Sequence, residues 1–195
     1  MSDDRETRLA GQLRANLRRR KAAGAAGGAP AELSDAPATP PSRRIDLSAV
    51  PERSGTGYPP PFDAPVRDRR WLPLAAAAGL TQFAVNLVAL PPGVWSSQRH
   101  WHAVEDEFVW VVSGELTLVT DAGEETLGPG DCAAFKGGDR DGHHLQNRTD
   151  AEASFLVVGG RGDADGGEYS DIDMVFRAGR YAGPGGYARK DGTPY

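Results

Sequence analysis

Two histidines and three acids stand close together near the middle of this chain and could supply metal ligands. His100 and His102 are followed after two residues by Glu105, Asp106 and Glu107. Because side chains two apart on an extended strand face the same way, His100 and His102 point to one side together. Two imidazoles on one face with a carboxylate nearby are ligands that a divalent metal prefers. Taken alone, the cluster could also be a pair of surface histidines beside a solvated acidic turn.

The other two of the four histidines, His143 and His144, form a second cluster. Adjacent residues on a strand point to opposite faces, so only one of them can join His100 and His102. Three imidazoles and one carboxylate leave one or two coordination positions open, which is typical of a working site rather than a closed structural one. Such nitrogen and oxygen donors suit Mn, Fe, Co, Ni or Zn, and the residue types do not choose among these metals.

The elements that would position these side chains are short strands. Alternating or continuous apolar segments bounded by Gly, Pro and polar turns predict strands over residues 83–90, 107–113, 115–120, 124–127, 132–135, 143–147 and 153–158. Residues 75–78 are the one ambiguous helical segment between residues 75 and 160. Regular short strands with such turns predict an all-β sandwich, jelly roll or small barrel.

The spacing of the two clusters resembles the two signature motifs of the cupin superfamily. Residues 93–114 resemble the first motif: His-x-His, four residues, Glu107, six residues and a closing glycine. Residues 130–147 resemble the second, which opens on Gly-Asp and has His143 followed after three residues by asparagine. The second motif departs from the family pattern in two ways, because Lys136 stands where proline is usual and Gly138 precedes His143 by two residues more than usual. A smaller departure is the spacer of six residues rather than five after the first glycine of the first motif.

This resemblance implies a divalent metal held by His100, His102, Glu107 and His143. It selects Glu107 among the three acids, and it selects His143 because His144 would leave only two residues before the asparagine. The implied fold is a double-stranded β-helix, the jelly-roll barrel of the cupins, which is commonly a homodimer. Ligand would enter at a mouth formed by residues 91–99 and 136–142.

The resemblance extends to small single-domain bacterial cupins, some of which are labelled sugar-phosphate isomerases. Three hypotheses follow: a metal-dependent isomerase of a sugar or sugar phosphate, an iron-dependent dioxygenase, and a non-catalytic module that binds a small polar molecule. An enediol route would need a general base besides the metal ligands, and the sequence identifies none. Gln98 shares the parity of His100 and could contact substrate, or it could make a structural bond to backbone. Lys136 and Arg140 could hold a phosphate or carboxylate, or belong to a solvated loop.

The N-terminal part of the chain differs in composition from the remainder. Residues 1–21 hold seven basic residues against three acids, with leucines every fourth residue at Leu9, Leu13 and Leu17, and they predict a basic amphipathic helix or arm. Residues 22–55 are rich in Ala, Gly, Pro and Ser and predict a disordered linker. Residues 56–195 form the predicted domain, with a barrel core at about 80–160 and a C-terminal extension at 161–195.

Overall composition excludes several classes of protein. The formal net charge of -5 argues against nucleic acid as a partner. The single cysteine, Cys132, excludes an intramolecular disulfide, fits a reducing compartment and is predicted to be a small core residue. No apolar segment approaches the length of a membrane span and the start lacks a signal-peptide core, so we expect a cytoplasmic protein. The acids between residues 163 and 173 lie among glycines and predict a solvated loop.

Overall fold

A computed structural model describes residues 43–179 and 186–195 of the chain. The predicted helix or arm at residues 1–21 and the linker as far as residue 42 lie outside the described residues. The end of the predicted linker is structured, because it contains a 3-10 turn at Leu47–Ala49 and a first strand, β1, at Arg53–Ser54. The folded domain therefore begins before the predicted boundary at residue 56.

The described part of the chain is almost entirely β structure, as the sequence predicted. Its only α-helix is the single turn α1, Leu74–Ala77, at the segment that the sequence left ambiguous. The remaining strands are β2 (Arg70–Pro73), β3 (Phe83–Leu90), β4 (His100–His102), β5 (Glu107–Ser113), β6 (Leu116–Thr120), β7 (Gly123–Leu127), β8 (Cys132–Phe135), β9 (His144–Gln146), β10 (Ala153–Gly160), β11 (Gly167–Tyr169), β12 (Val175–Phe176) and β13 (Tyr187–Ala188). No helix among the described residues is long and apolar enough to cross a membrane.

The strands form antiparallel sheets that enclose one main core. One sheet has the order β1-β2-β3-β10-β5-β8, and the others have the orders β13-β12-β11-β4 and β7-β6-β9. Inward side chains from β3, β5, β6, β9 and β10 make up the core, including Leu90, Val109, Val111, Leu116, Leu118, Leu145 and Phe155. These strands alternate between core and solvent, which is the pattern of a jelly-roll barrel.

The alternation of β5 decides which of its side chains face the interior. Val109 and Val111 are buried, whereas Phe108, Trp110 and Val112 on the other face are 40 to 48% exposed. Trp110, which as an aromatic residue on a strand would be expected in the core, therefore lies on the outer face. The prediction that Cys132 is a core residue is wrong, because Cys132 is exposed and lies opposite Trp110 in the register of β5 and β8. The outer face of this sheet thus carries large apolar side chains that the barrel does not cover.

A glycine ends β5 because the turn to β6 leaves no room for a side chain. Gly114 has φ +72°, in the left-handed region that favours glycine. A Cβ at this position would lie 2.7 Å from the Cα of Ala153 on β10. The chain can therefore reverse direction here while β5 stays paired to β10.

A second, smaller hydrophobic cluster is formed by segments that precede and follow the barrel strands in sequence. The aromatic segment before β2 contributes Tyr58 and Phe62, and the C-terminal extension contributes Tyr169, Met174 and Phe176. The rings of Tyr58 and Tyr169 meet edge to face with centroids 5.4 Å apart. The proline-rich segment after residue 56 therefore lies against the domain.

Candidate metal centre

Three neighbouring elements bring the four predicted ligands together. Strand β4 carries His100 and His102, and its backbone pairs with β11. Glu107 is the first residue of β5. His143 precedes β9, and its backbone exchanges two hydrogen bonds with that of His100, with N to O distances of 2.9 and 3.2 Å. This bridge places the second histidine cluster beside the first, about forty residues apart in sequence.

The side-chain donors of these residues converge. Nε2 of His100 lies 3.1 Å from Nε2 of His102. The two carboxylate oxygens of Glu107 lie 3.8 Å from Nε2 of His102 and 3.4 Å from Nε2 of His143. One donor atom from each of His100, His102 and Glu107 falls within 4.8 Å of the others. The spacing is that of ligands directed at one point.

Hydrogen bonds at the far nitrogen orient two of the imidazoles. Nδ1 of His100 lies 3.0 Å from the carbonyl oxygen of Gln98, which can only accept, so this nitrogen carries the proton. Nδ1 of His102 lies 2.8 Å from Oδ2 of Asp165. In both rings the Nε2 lone pair is then directed at the centre, which is the arrangement of a metal-binding histidine with a fixed tautomer.

His143 and His144 differ in how their ring nitrogens are used. His143 stacks on Phe135 with centroids 3.5 Å apart, and its buried Nδ1 and Nε2 have no hydrogen bond of acceptable geometry. In His144, Nδ1 lies 2.9 Å from the carbonyl oxygen of Ser97 and Nε2 lies 2.8 Å from Nε2 of Gln146. A buried polar atom without a partner is costly, so His143 is the ring whose environment calls for a further ligand.

The charges of the cluster suit a divalent cation. Burial lowers the pKa of His100 well below its ordinary value, and the imidazoles of His143 and His102 lower it further, so the ring is neutral at pH 7. Burial opposes ionisation of Glu107, but the adjacent imidazole of His143 and, to a smaller extent, those of His100 and His102 outweigh it and lower the pKa to about 2. Neutral imidazole and ionised carboxylate are the forms that bind metal.

Asp165 is a residue of this centre that the sequence analysis placed wrongly. Its side chain is fully buried, although the sequence predicted a solvated loop there. Oδ2 accepts from His102, and Oδ1 accepts from the backbone amides of Val104 and Glu105 at 3.1 and 3.2 Å. Burial alone would raise the pKa of Asp165, but these hydrogen bonds hold it below the ordinary value. No local sequence signal identifies this role, because the pairing with His102 spans 63 residues.

The other acids of the first cluster have structural partners. Glu105 is buried, and its Oε1 accepts from the backbone amide of Gly162 at 2.6 Å. Oδ1 of Asp106 accepts from the backbone amide of Gly137 at 2.8 Å. His102, Glu105 and Asp165 form a second group of donors within 4.8 Å of one another, but Asp165 already accepts from His102. Among the three acids, Glu107 is therefore the one whose carboxylate faces the histidine nitrogens.

The cluster opens into a cavity of about 370 Å³. Its walls include both apolar and polar side chains. The apolar side chains are Trp71, Val88, Val109, Phe135, Leu145, Phe155 and Val157, and the polar ones include Thr56, Tyr58, Arg69, Asn86, Ser97, Tyr169 and Tyr187. A cavity of this size accommodates a small molecule.

Three predicted contacts to ligand do not line this cavity. Gln98 is buried, and its Nε2 donates to the carbonyl oxygen of Phe62 at 2.7 Å, which is the structural alternative that the sequence left open. Arg140 lies over the ring of Trp101, 5.2 Å from its centroid, and Lys136 is exposed. None of residues 136–142, all of which are described, is among the walls of this cavity, but Lys136, Asp139 and Asp141 line a second cavity of about 410 Å³ that also adjoins His102 and His143. The mouth at residues 91–99 and 136–142 therefore stays a prediction. The segment before β2 and the C-terminal extension also contribute side chains to the first cavity.

Comparisons with known proteins agree on one family. The family model for the cupin domain matches residues 86–159. A solved structure of a sugar phosphate isomerase from a cupin superfamily, from Silicibacter pomeroyi, is 48% identical, covers 78% of this chain and 96% of its own, and has a TM-score of 0.75. A proposed sugar phosphate isomerase from Acidithiobacillus ferrooxidans is 26% identical, with 64% and 78% covered and a TM-score of 0.59. No curated protein matches the chain.

Proposed function

The chain belongs to the cupin superfamily, and from this premise we propose that it holds a divalent transition metal through His100, His102, Glu107 and His143 and acts on a small polar molecule beside that metal. The observation that carries the proposal is the buried imidazole of His143, both of whose nitrogens lack a hydrogen-bond partner, next to three further converging donors. A divalent metal bound there would act as a Lewis acid toward a carbonyl or hydroxyl group. Mn, Fe, Co, Ni and Zn all suit these donors.

Within this function, we propose an isomerase that interconverts sugars or sugar phosphates. The 48% identity to the Silicibacter pomeroyi protein supports this choice, as do the polar side chains of the cavity wall. Among the described residues that line the cavity, Glu107 is the only carboxylate. An enediol route would therefore have to use Glu107 or a histidine of the centre as the proton acceptor, because the cavity wall has no second carboxylate among the described residues.

The metal site is tested by matched alanine variants of adjacent histidines. We expect protein purified without added metal to contain a transition metal in elemental analysis. His143→Ala should lose it, because the variant removes a donor directed at the centre. His144→Ala should keep it, because that ring bonds Ser97 and Gln146 instead. The opposite pattern, or wild-type protein that neither contains nor takes up metal, would refute the site.

The reaction is tested separately on metal-loaded protein. A panel of aldose and ketose phosphates is followed for interconversion by NMR, and wild type is compared with the His143→Ala variant. The isomerase proposal predicts turnover that depends on His143. Oxygen consumption by the iron-loaded protein without isomerisation would instead favour a dioxygenase, and ligand binding without turnover would favour a binding module.

We further propose that the protein is a cytoplasmic homodimer. The apolar outer face of the six-stranded sheet supports a partner of the same kind, because Phe83, Phe108, Trp110 and Val112 are each at least 40% exposed on it. The exposed thiol of Cys132 is compatible with a reducing compartment.

A further inference from the structure

One arginine of the cavity wall is placed differently from its neighbours in sequence. Arg67 and Arg70 are turned outward and pair with carboxylates, Asp63 and Glu152 among them. Arg69 lies between them and lines the cavity. Within residues 43–179 and 186–195, no carboxylate forms an ion pair with Arg69. Its charge is therefore not neutralised by a described acid.

The guanidinium of Arg69 is held in a fixed position. Nη1 donates to the carbonyl oxygen of Ser96, and Cζ lies 5.1 Å from the centroid of the Trp71 ring. Nε is buried and has no hydrogen-bond partner. A fixed guanidinium with an unused buried donor is preorganised for an anion, since its planar fork matches carboxylate and phosphate oxygens.

Tyrosine side chains line the same cavity as Arg69 and the histidine cluster. The ring of Tyr58 contacts those of Tyr169 and Tyr187 at centroid distances of 5.4 and 5.2 Å, and Tyr169 lies 5.7 Å from His100. Burial raises the pKa of Tyr58 to about 12, so its hydroxyl stays protonated and can donate. Among the described residues that line the cavity, the only carboxylate is Glu107, so a ligand there meets hydrogen-bond donors besides Arg69 and no second acid.

We propose that Arg69, assisted by the Tyr58 hydroxyl, binds the anionic group of the cavity's ligand, a phosphate monoester or a carboxylate, while the ligand's other end reaches the histidine cluster. This inference rests on the proposed function, because it assigns the second end of the same ligand. It places the anion-binding candidate in the cavity that contains all four proposed metal ligands, whereas Lys136 lines the second cavity and Arg140 lines neither. On this proposal, the positive charge of Arg69 makes the protein select substrates that carry an anionic group.

The test uses inorganic phosphate and acetate as probes on full-length protein stripped of metal, so that the result does not depend on the metal. Binding is followed by calorimetry and by tryptophan fluorescence, since Trp71 adjoins the guanidinium. We expect Arg69→Met to weaken anion binding by at least about tenfold, because charge-assisted hydrogen bonds are lost. Arg69→Lys should bind better than Arg69→Met, since it keeps the charge without the fork. Arg67→Met, which removes an exposed arginine two residues away, should bind as wild type does.

Each outcome is decisive once thermal unfolding shows that the variants fold. Binding of phosphate alone identifies a phosphate subsite, and binding of acetate as well identifies a carboxylate subsite. Equal binding by wild type and Arg69→Met, equal weakening in Arg67→Met, or no binding of either anion overturns the inference. If wild-type protein takes up no metal but still binds the anion, the proposed metal function fails and the anion subsite stands.

Discussion

Replacement of Asp165 by asparagine should weaken metal binding although Asp165 is not itself a proposed ligand. The carboxylate accepts from Nδ1 of His102 through one oxygen and from the amides of Val104 and Glu105 through the other. An asparagine amide has the same shape but only one acceptor oxygen. Whichever way it is oriented, its NH2 group must face a donor, either the imidazole or the two backbone amides.

The expected magnitude follows from these contacts. Loss of a partner that orients a metal-binding histidine lowers metal affinity by about 10- to 100-fold, which is about 1.4 to 2.8 kcal/mol. A buried donor left unsatisfied also lowers the free energy of unfolding by about 1 to 3 kcal/mol. The two effects are separable, because metal affinity is measured on protein that circular dichroism shows to be folded.

The assay is a competition titration with a metal-chelating dye, performed with Zn²⁺ and with Mn²⁺. Asp163→Asn is the matched control, because Asp163 lies on the same loop but is exposed. We expect the control to match wild type and Asp165→Asn to release metal at lower chelator concentrations. A folded Asp165→Asn variant with wild-type affinity for both metals would refute the idea that Asp165 positions His102.

Two further predictions concern stability and assembly. Hydrogen bonds from Arg99 lower the pKa of Asp171 from its ordinary value of 3.8, so the carboxylate stabilises the fold above that pH and the contribution is lost as pH falls through the folded pKa. Because Asp171 is more than half exposed, we expect Asp171→Asn to lower the free energy of unfolding in urea by at most about 1 kcal/mol at pH 7, and we expect this effect to shrink as the pH falls below 3.8. An effect of the same size at all pH values would contradict this. Light scattering should give wild type twice the chain mass of 20.7 kDa, and Trp110→Glu, on the apolar outer face, should give a monomer; a monomeric wild type would refute the dimer.

Local patterns in the amino-acid sequence were sufficient to predict the strands and one part of the site. Apolar alternation located β3 and β5 because a half-buried strand must alternate, and the glycine that ends β5 is required by a left-handed turn. The shared face of His100 and His102 depends on one strand, so it could be predicted without knowledge of distant contacts. The resemblance to a known family then selected Glu107 among the three acids and supplied His143. The roles of all four residues as ligands stay predictions until metal binding is measured.

Periodicity could not choose between the two faces of a strand. It separated Trp110 from Val109, but which set faces the barrel depends on how β5 pairs with β10 and β8. An aromatic side chain at a strand position is more often buried, and that tendency gave the wrong answer for Trp110. The same uncertainty affected Cys132, whose exposure follows from its register opposite Trp110.

The amino-acid sequence by itself determined the all-β class, the cupin motifs and the candidate ligands, because these depend on periodicity and on short spacings within strands. Only the tertiary structure decided that Asp165 supports His102 and that Arg69 lines the cavity. Both residues reach the site from segments outside the barrel motifs, and a contact between distant segments leaves no periodic signal in either one. In the sequence, Asp165 stands among glycines and Arg69 among other arginines, and both look like solvated residues. The fold buries Asp165 and places Arg69 in the cavity wall.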